Sequence, residues 1–370
     1  MKILFVAHST DYSGANRSLF DLIIRFKQSN EVYLLTNSNT GALIDLCNQY
    51  QIKVIVSSYS WRYAVSGDNI LQTFCRYFLF WAKYHLRTIN KHCIEYIRSL
   101  DLNYIYTNTS VIDVGAYLSQ ILGVPHVWHI REFGKEDFNF RPVCSSKKVE
   151  EYYNNAKVIF CVSKSLMRFY KSKFPQADFV SVYNGFNISD LSCVPSEHRR
   201  WNILIAGQVN RMKGQDQAIS AVCRLIDKGY NIRLYIAGDI EDRSIINEID
   251  SLHSKYIFTL GRVEDMKSLR KSMDLALVCS RSEAFGRVTI ESMLSHLPVI
   301  GANAGGTTEL IDNNMTGLLY HSGNVDDLAR CIELLINDSD LYASIVSNAY
   351  NFAKKFTIDR TFNEIYTYLD

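Results

Sequence analysis

Two carboxylates, Glu283 and Glu291, stand with seven residues between them in the run SEAFGRVTIE at 282–291. The apolar run DLALV precedes this stretch, and a helical pattern opens near Gly286 or Arg287. Glu283 therefore falls in a strand-to-helix loop, and Glu291 falls about one turn inside the helix. At about 1.5 Å rise per residue, the helical part separates them by roughly 7 Å. The amides of Phe285, Gly286 and Arg287 open the helix unpaired. Together with the helix dipole they make an anion site suited to a diphosphate. Gly286 lets a ligand approach the backbone closely. One carboxylate could then reach a ribose diol and the other a sugar hydroxyl. Taken alone, the pair also fits a plainer role, a first-turn dipole partner and a solvated helix residue. The following sequence bears on the choice. The strand-like run LPVI at 297–300 feeds Gly305-Gly306 and a second helix start that holds Glu309. Two anion-binding helix N-termini are then expected side by side at one sheet edge.

Elements that position these groups alternate along the whole chain. Strands are expected at 2–7, 31–36, 52–56, 102–106, 124–130 and 157–162, with helices at 15–28, 41–50, 69–99, 112–122, 147–154 and 164–172. The second half repeats the plan. Its strands are expected at 201–206, 231–237, 255–260, 274–278 and 297–300, and its helices at 214–228, 241–252, 265–271, 287–296, 306–312 and 325–336. The strands are apolar and β-branched with little alternation, as in sheets covered on both faces. The fold class is α/β: two doubly wound Rossmann-like domains, which bind ligands at the carboxyl ends of their strands and make a cleft when they face each other. The join is expected within 184–200, which carries Asn-Gly, Ser-Asp and a proline. The domains are read as 1–190 and 191–354. The helical, aromatic segment 341–370 ends in a helix at about 355–370 that packs back on the first domain.

Composition narrows the function. The chain has 370 residues, about two domains' worth, and its 47% apolar and 21% charged residues exclude a disordered or fibrous protein. The net charge of +2 is too balanced for a nucleic-acid binder held by bulk charge. The halves differ: residues 1–190 hold 21 basic and 15 acidic side chains, while the rest hold 19 and 23. That asymmetry suggests different partners for the two domains. Nine cysteines, none in a C-x-x-C pair, suit a reduced cytoplasmic protein without disulfides or a zinc site. The short run after Met1-Lys2 is no signal peptide, and no stretch of 18 apolar residues occurs.

From Ser282 to Tyr320 the chain resembles the donor half of the retaining glycosyltransferases of family 4, which have the GT-B fold. That family carries E-x-F-G-x-x-x-x-E, a P-V-I-type strand, G-G-x-x-E and T-G-L-L, and all four stand here in order. The resemblance implies that Lys213, of Lys213-Gly214, holds the donor diphosphate. Gln208 stands where the family usually has Arg, and Arg211 is a candidate to supply that charge. GRVED at 261–265 resembles a base-binding loop with backbone contacts around Arg262 and Val263. By the same resemblance Glu283, Phe285, Gly286, Arg287 and Glu291 bind the donor. In the first domain Ser13-Gly14-Ala15 stands where Gly-Gly-Ala is common. It places Gly14 near the donor phosphates, with Ser13 and Asn16 on the acceptor side. His129 of WHIRE matches the histidine that contacts the donor sugar, and Arg131 and Glu132 are acceptor-side candidates. Asn108, Ser163, Asn184 and Gly185 also match strand-edge positions, with structural and functional roles both open. The catalytic set implied is His129, Glu283 and Lys213.

The implied activity is transfer of a sugar from a nucleoside-diphosphate sugar to an acceptor hydroxyl, with retention and without metal or other cofactor. The acceptor expected is a glycan, lipid-linked, in envelope or capsular polysaccharide synthesis. A nucleotide-sugar epimerase and a non-catalytic nucleotide-sugar-binding subunit are the alternatives. The resemblance is poor over 57–100. There, residues 59–98 carry six basic and two acidic side chains among ten aromatics. Such a helix can lie in a membrane interface or hold a lipid-linked diphosphate, giving a cytoplasmic protein peripheral contact with the inner membrane face. It can equally be a core helix with a basic rim.

Overall fold

A computed structural model of the chain describes residues 1–65, 70–86, 88–134, 140–191 and 200–369. The chain divides into two units, Met1–Phe186 with Ile358–Asp370, and Asn187–Thr357.

The first unit runs β1 (Lys2–Val6), α1 (Gly14–Lys27), β2 (Glu31–Thr36), α2 (Ala42–Gln49), β3 (Lys53–Val56), β4 (Tyr63–Val65), α3 (Ile70–Leu86), α4 (Lys91–Ser99), β5 (Tyr104–Asn108), α5 (Val114–Leu122), β6 (His126–Ile130), β7 (Phe140–Pro142), α6 (Ser146–Asn154), β8 (Val158–Cys161), α7 (Lys164–Lys173) and β9 (Phe179–Ser181). Seven of its strands make one parallel sheet in the order β3-β2-β1-β5-β6-β8-β9. Strand β1 is apolar at every position after Lys2 because both faces are covered. Ile3 and Phe5 pack with Leu19 and Ile23 of α1 on one face, while Leu4 and Val6 pack with Ile97 and Leu118 on the other. Chain order reverses between β1 and β5, which is where an open parallel sheet offers a crevice.

The second unit runs α8 (Ile188–Leu191), β10 (Trp201–Ala206), α9 (Gln215–Asp227), β11 (Ile232–Ala237), α10 (Arg243–Asn247), β12 (Ile257–Gly261), α11 (Met266–Lys271), β13 (Leu275–Val278), α12 (Arg287–Leu294), β14 (Val299–Ala302), α13 (Thr307–Leu310), β15 (Leu318–Tyr320), α14 (Val325–Asn337) and α15 (Ser339–Ala353). Its sheet is parallel, in the order β12-β11-β10-β13-β14-β15, with the reversal between β10 and β13. The two sheets thus share one winding plan, as the alternating pattern requires. The last helix, α16 (Ile358–Tyr366), belongs to the first unit. Phe362 meets Phe26 edge-on at 4.7 Å, and Thr361 Oγ1 donates to the Tyr183 carbonyl at 2.8 Å.

Several boundaries differ from expectation. The single helix expected over 69–99 is two, α3 and α4. Asn90 stops the run by capping α4, its Oδ1 accepting from Cys93 N at 2.7 Å. Segment 341–370 also splits, into α15 and α16, and only Arg243–Asn247 of 241–252 is α-helix. The short strands β4, β7, β9 and β15 are too brief to show periodicity. Residues 192–199 of the expected join lie outside the described residues. The eight cysteines among the described residues are free thiols, and no described helix is long and apolar enough to cross a membrane.

Candidate functional site

At the reversal of the second sheet, the loop after β10 and the loop after β13 meet backbone to backbone. Gly214 caps α9 in the left-handed region, φ +73°, and a Cβ there would lie 2.2 Å from the Cys279 carbonyl oxygen. Only glycine tolerates that conformation together with that approach. The contact brings Lys213 to Glu283: Lys213 Nζ donates to Glu283 Oε2 at 2.9 Å, and Ser280 Oγ donates to the same oxygen at 3.1 Å. Gly286, φ +101°, then opens α12, and the buried Phe285 packs against Phe356 with ring centroids 6.1 Å apart. A cation and a carboxylate therefore stand together beside a helix N-terminus.

The second anion site expected at Gly305-Gly306 is not formed. Helix α13 spans four residues, and the Gly306 amide donates to the Glu283 carbonyl at 2.6 Å. The glycine pair instead lets two backbones touch, since a Cβ on Gly305 would fall 2.4 Å from that carbonyl oxygen. Arg211 does not supply a charge at this edge. Its guanidinium pairs with Glu248 and lies 3.7 Å from both Asp216 and Asp242. Gln208 and Arg262 are exposed and Val263 is half-buried.

Glu291 is neither a solvated helix residue nor a partner of Glu283. It is buried in α12, with Oε2 accepting from Arg270 Nη2 at 2.5 Å and Oε1 from Arg287 Nη2 at 3.3 Å. Arg270, on α11, is itself buried. Sequence reasoning missed it, because a basic residue in a short helix carries no mark of burial. Its buried partner also means that Arg287 sits on Glu291 rather than standing free at the helix start.

In the first unit, the carboxyl ends of β5 and β6 gather a polar cluster around the Arg131 guanidinium. His129 is fully buried, and burial and the Arg131 charge hold its imidazole well below the usual histidine range. Its Nδ1 lies 2.7 Å from Tyr106 OH and 3.3 Å from Arg131 Nη2. Arginine only donates, so Nδ1 is the acceptor and Nε2 carries the proton. That Nε2 has no hydrogen-bond partner. Arg131 is fixed by Asn108, whose Oδ1 accepts from Nε at 2.5 Å, and by Asn184 Oδ1. Glu132 faces inward, accepting from Ser110 N and Oγ at 2.5 and 2.7 Å, which is a structural anchor rather than an open acceptor contact.

The loop after β1 joins this edge. Asn16 is buried and donates to the Ser9 and Asp11 carbonyls at 3.0 and 2.9 Å, so it shapes the loop. Ser13 and Gly14 are exposed at the start of α1. His8, in the same loop, was not anticipated. Burial pushes its imidazole down to about 4, with Asp11 opposing and Arg131 adding to the shift, and its Nδ1 has no partner. A histidine directly after a parallel strand was the available signal. Ser163 caps α7, its Oγ accepting from Leu166 N at 3.1 Å, which is a structural role.

Residues 182–352 match the family model described as glycosyl transferases group 1. An uncharacterised glycosyltransferase of Methanocaldococcus jannaschii, MJ1178, is 29% identical over 251 residues, 67% of this chain and 68% of that one. The Campylobacter jejuni GalNAc-alpha-(1->4)-GalNAc-alpha-(1->3)-diNAcBac-PP-undecaprenol alpha-1,4-N-acetyl-D-galactosaminyltransferase is 25% identical over 97% of this chain and 95% of its own. In fold, the chain is similar to Anabaena Alr3699/HepE in complex with UDP, with a TM-score of 0.78, 23% identity and coverage of 100% and 99%. The architecture is therefore GT-B. Apart from residues 182–186, the region that matches the group 1 model lies in the second unit.

Proposed function

We propose that the protein transfers a sugar from a nucleoside-diphosphate sugar to a hydroxyl of a glycan acceptor that is lipid-linked. The observation that carries this reading is the Lys213–Glu283 pair beside the α12 N-terminus, at the reversal of the second sheet. Lys213 and the helix amides stabilise the diphosphate as it leaves, in the way preorganised charge lowers a barrier. Glu283, already fixed by Ser280, accepts from a sugar hydroxyl. Arg270 and Arg287 hold Glu291 rigid under this edge. In the first unit, the His129 Nε2 proton is available to a sugar or acceptor oxygen.

Transfer proceeds with retention, as the family 4 pattern of Glu283–Glu291, Gly305-Gly306 and Lys213 implies. The anomeric carbon loses its bond to the diphosphate oxygen and gains one to the acceptor oxygen on the same face. The acceptor proton passes to the departing phosphate. Lys213 supplies the positive charge that a divalent cation would otherwise supply, so the reaction is metal-independent. The Campylobacter relative, whose name specifies an undecaprenol-linked acceptor, supports the acceptor class. UDP in the Anabaena likeness makes uracil the first base to test.

A thermal-shift panel of UDP, GDP, ADP and CMP and their sugars tests the donor site, because a ligand of the folded state raises the melting point by mass action. A shift with one nucleoside diphosphate, lost in Lys213→Met, is expected. Binding without transfer to any lipid-linked or free glycan would leave a binding subunit in place of an enzyme. Loss of transfer in EDTA, restored by a divalent cation, would overturn metal independence.

A further inference from the structure

The Lys213–Glu283 pair has two properties that a permanent salt bridge does not need. The Lys213 side chain is 32% exposed and that of Glu283 16%, so a ligand at this edge can meet both. Glu283 Oε2 also has a second donor, Ser280 Oγ at 3.1 Å, so the carboxylate keeps a partner when the ammonium leaves.

The backbones behind the two side chains are held. The Lys213 amide donates to the Asn210 carbonyl at 3.1 Å and to Asn210 Oδ1 at 3.0 Å. The Glu283 carbonyl accepts from the Gly306 amide at 2.6 Å, and Gly305 packs against it too closely for any Cβ. Exchange of partners is therefore left to the side chains, and the flexible four-carbon stem of lysine gives Lys213 the longer reach. Other cations of these loops have acids of their own: Arg211 pairs with Glu248, Arg281 with Asp216 at 2.9 Å and Arg287 with Glu291. Lys213 is thus the cation that Glu283 and an anion bound at α12 must share.

One ammonium between two anions is a competition. A diphosphate at the α12 N-terminus offers more charge than a carboxylate and draws Lys213 towards itself. Glu283 then stands beside a like charge with Ser280 as its donor, which weakens the binding of a bare nucleoside diphosphate. A sugar on the diphosphate changes the balance, because one of its hydroxyls can donate to the oxygen that Lys213 gave up. After transfer that donor has gone with the sugar, and the carboxylate draws Lys213 back.

We infer that Glu283 competes with the bound nucleoside diphosphate for Lys213, so that the re-forming pair loosens the spent nucleotide and the site favours the sugar-bearing donor over the product. This rests on the donor-site reading above and adds to it the discrimination between donor and product. Both exchanges fall outside the transfer step, during which Lys213 stays on the diphosphate.

Calorimetric titration of the full chain with UDP, GDP and ADP tests this through a double-mutant cycle. Glu283→Gln keeps the shape of the side chain and removes the charge that holds Lys213. It should bind the nucleoside diphosphate at least about fivefold more tightly than the wild type, chiefly through a slower off-rate. The affinity ratio of the matching glucose nucleotide to the diphosphate should fall with it. In a Lys213→Met background the same substitution should gain less than about twofold, because no ammonium is left to release. Ser280→Ala, which changes no charge, should weaken the diphosphate by about two- to fivefold, since Glu283 then depends on Lys213 alone. Melting temperatures within about 3 °C of the wild type check each fold. An equal gain with and without Lys213, or no effect of Ser280→Ala, overturns the inference in favour of plain repulsion between Glu283 and the diphosphate. Unchanged or weaker binding in Glu283→Gln, or an unchanged ratio, overturns it as well. If none of the three diphosphates binds the wild type, the donor-site reading falls and the inference with it. If one binds and the cycle shows no coupling, the inference alone falls.

Discussion

The carboxyl edges of the two sheets share a strand order and differ in electrostatics. The second sheet holds its charges in place: Lys213 on Glu283 at the reversal, and Arg270 and Arg287 on Glu291 beneath. The first sheet holds buried imidazoles that stay neutral, His8 and His129, each with a ring nitrogen lacking a partner. An edge of fixed charge suits a ligand whose own charge changes during reaction, because nothing needs to reorient. Neutral imidazoles beside the Arg131 guanidinium suit hydroxyl-bearing ligands, where an unpaired buried donor is the source of selectivity.

The largest effect should come from breaking the buried charge of the second edge. Arg270→Met leaves Glu291 without its shorter ion pair in a buried site, and should cost about 3–5 kcal/mol in chemical denaturation. The double variant Arg270→Met/Glu291→Leu should recover most of that, since an apolar pair of similar volume is well tolerated there. A single-variant loss below about 1 kcal/mol would show that Arg287 alone satisfies Glu291 and that Arg270 does not hold the second edge rigid.

Next comes a pair of substitutions that sets one edge against the other. Lys213→Met should lower turnover by about 10²–10³, the effect of removing one preorganised donor, and should weaken nucleoside-diphosphate binding. His129→Ala should lower turnover by a smaller factor, about 10–10², and leave nucleoside-diphosphate binding unchanged. Calorimetric titration of the nucleotide separates them. Equal losses of nucleotide affinity would erase the division of labour between the two units.

Much of this was legible in the residues. The parallel sheets followed from continuous apolar strands, and Lys213, Glu283, Gly286 and His129 were singled out from motif and position. Illegible were the features that depend on what a side chain finds after folding. Arg211 looked available, yet Glu248 lies far along the chain and claims it. Gly305-Gly306 looked like an anion loop, yet the pair serves to let the Glu283 backbone pass. Glu291 looked like a ligand contact or a solvated residue, yet Arg270 draws it inward. For α3 the composition left membrane and core equally open, and the exposure of Phe74, Phe78 and Trp81 excludes a core position. Pairing partners and burial are tertiary facts, and periodicity encodes neither.

The smallest effect, and the finest test of the contrast, is in pH. In the first unit burial lowers three histidines: His8 to about 4, His126 to about 3, and His129 well below the usual value. The unfolded chain takes up protons on all three below about pH 6.5 while the folded unit does not, so its stability falls as pH drops from there towards 4. Each histidine contributes about 1.4 kcal/mol per pH unit across that window. His253 in the second unit has the opposite sign. Asp250 above all, then Asp227, raise it, at 2.7 and 3.0 Å, so its contribution is present below about pH 6.5 and is lost as pH rises through the raised value. Calorimetric melting at about pH 7.5, 6.5 and 5.5 should therefore move the first unit's transition down while the second unit's transition shifts less. His126→Gln, which keeps a partner for Thr107 Oγ1, should flatten the first unit's slope by one proton's worth, and His253→Asn should remove only the small opposing drift of the second. Parallel shifts of both transitions would mean that the histidines do not set this difference, and the electrostatic contrast between the edges would stop at the charged pairs.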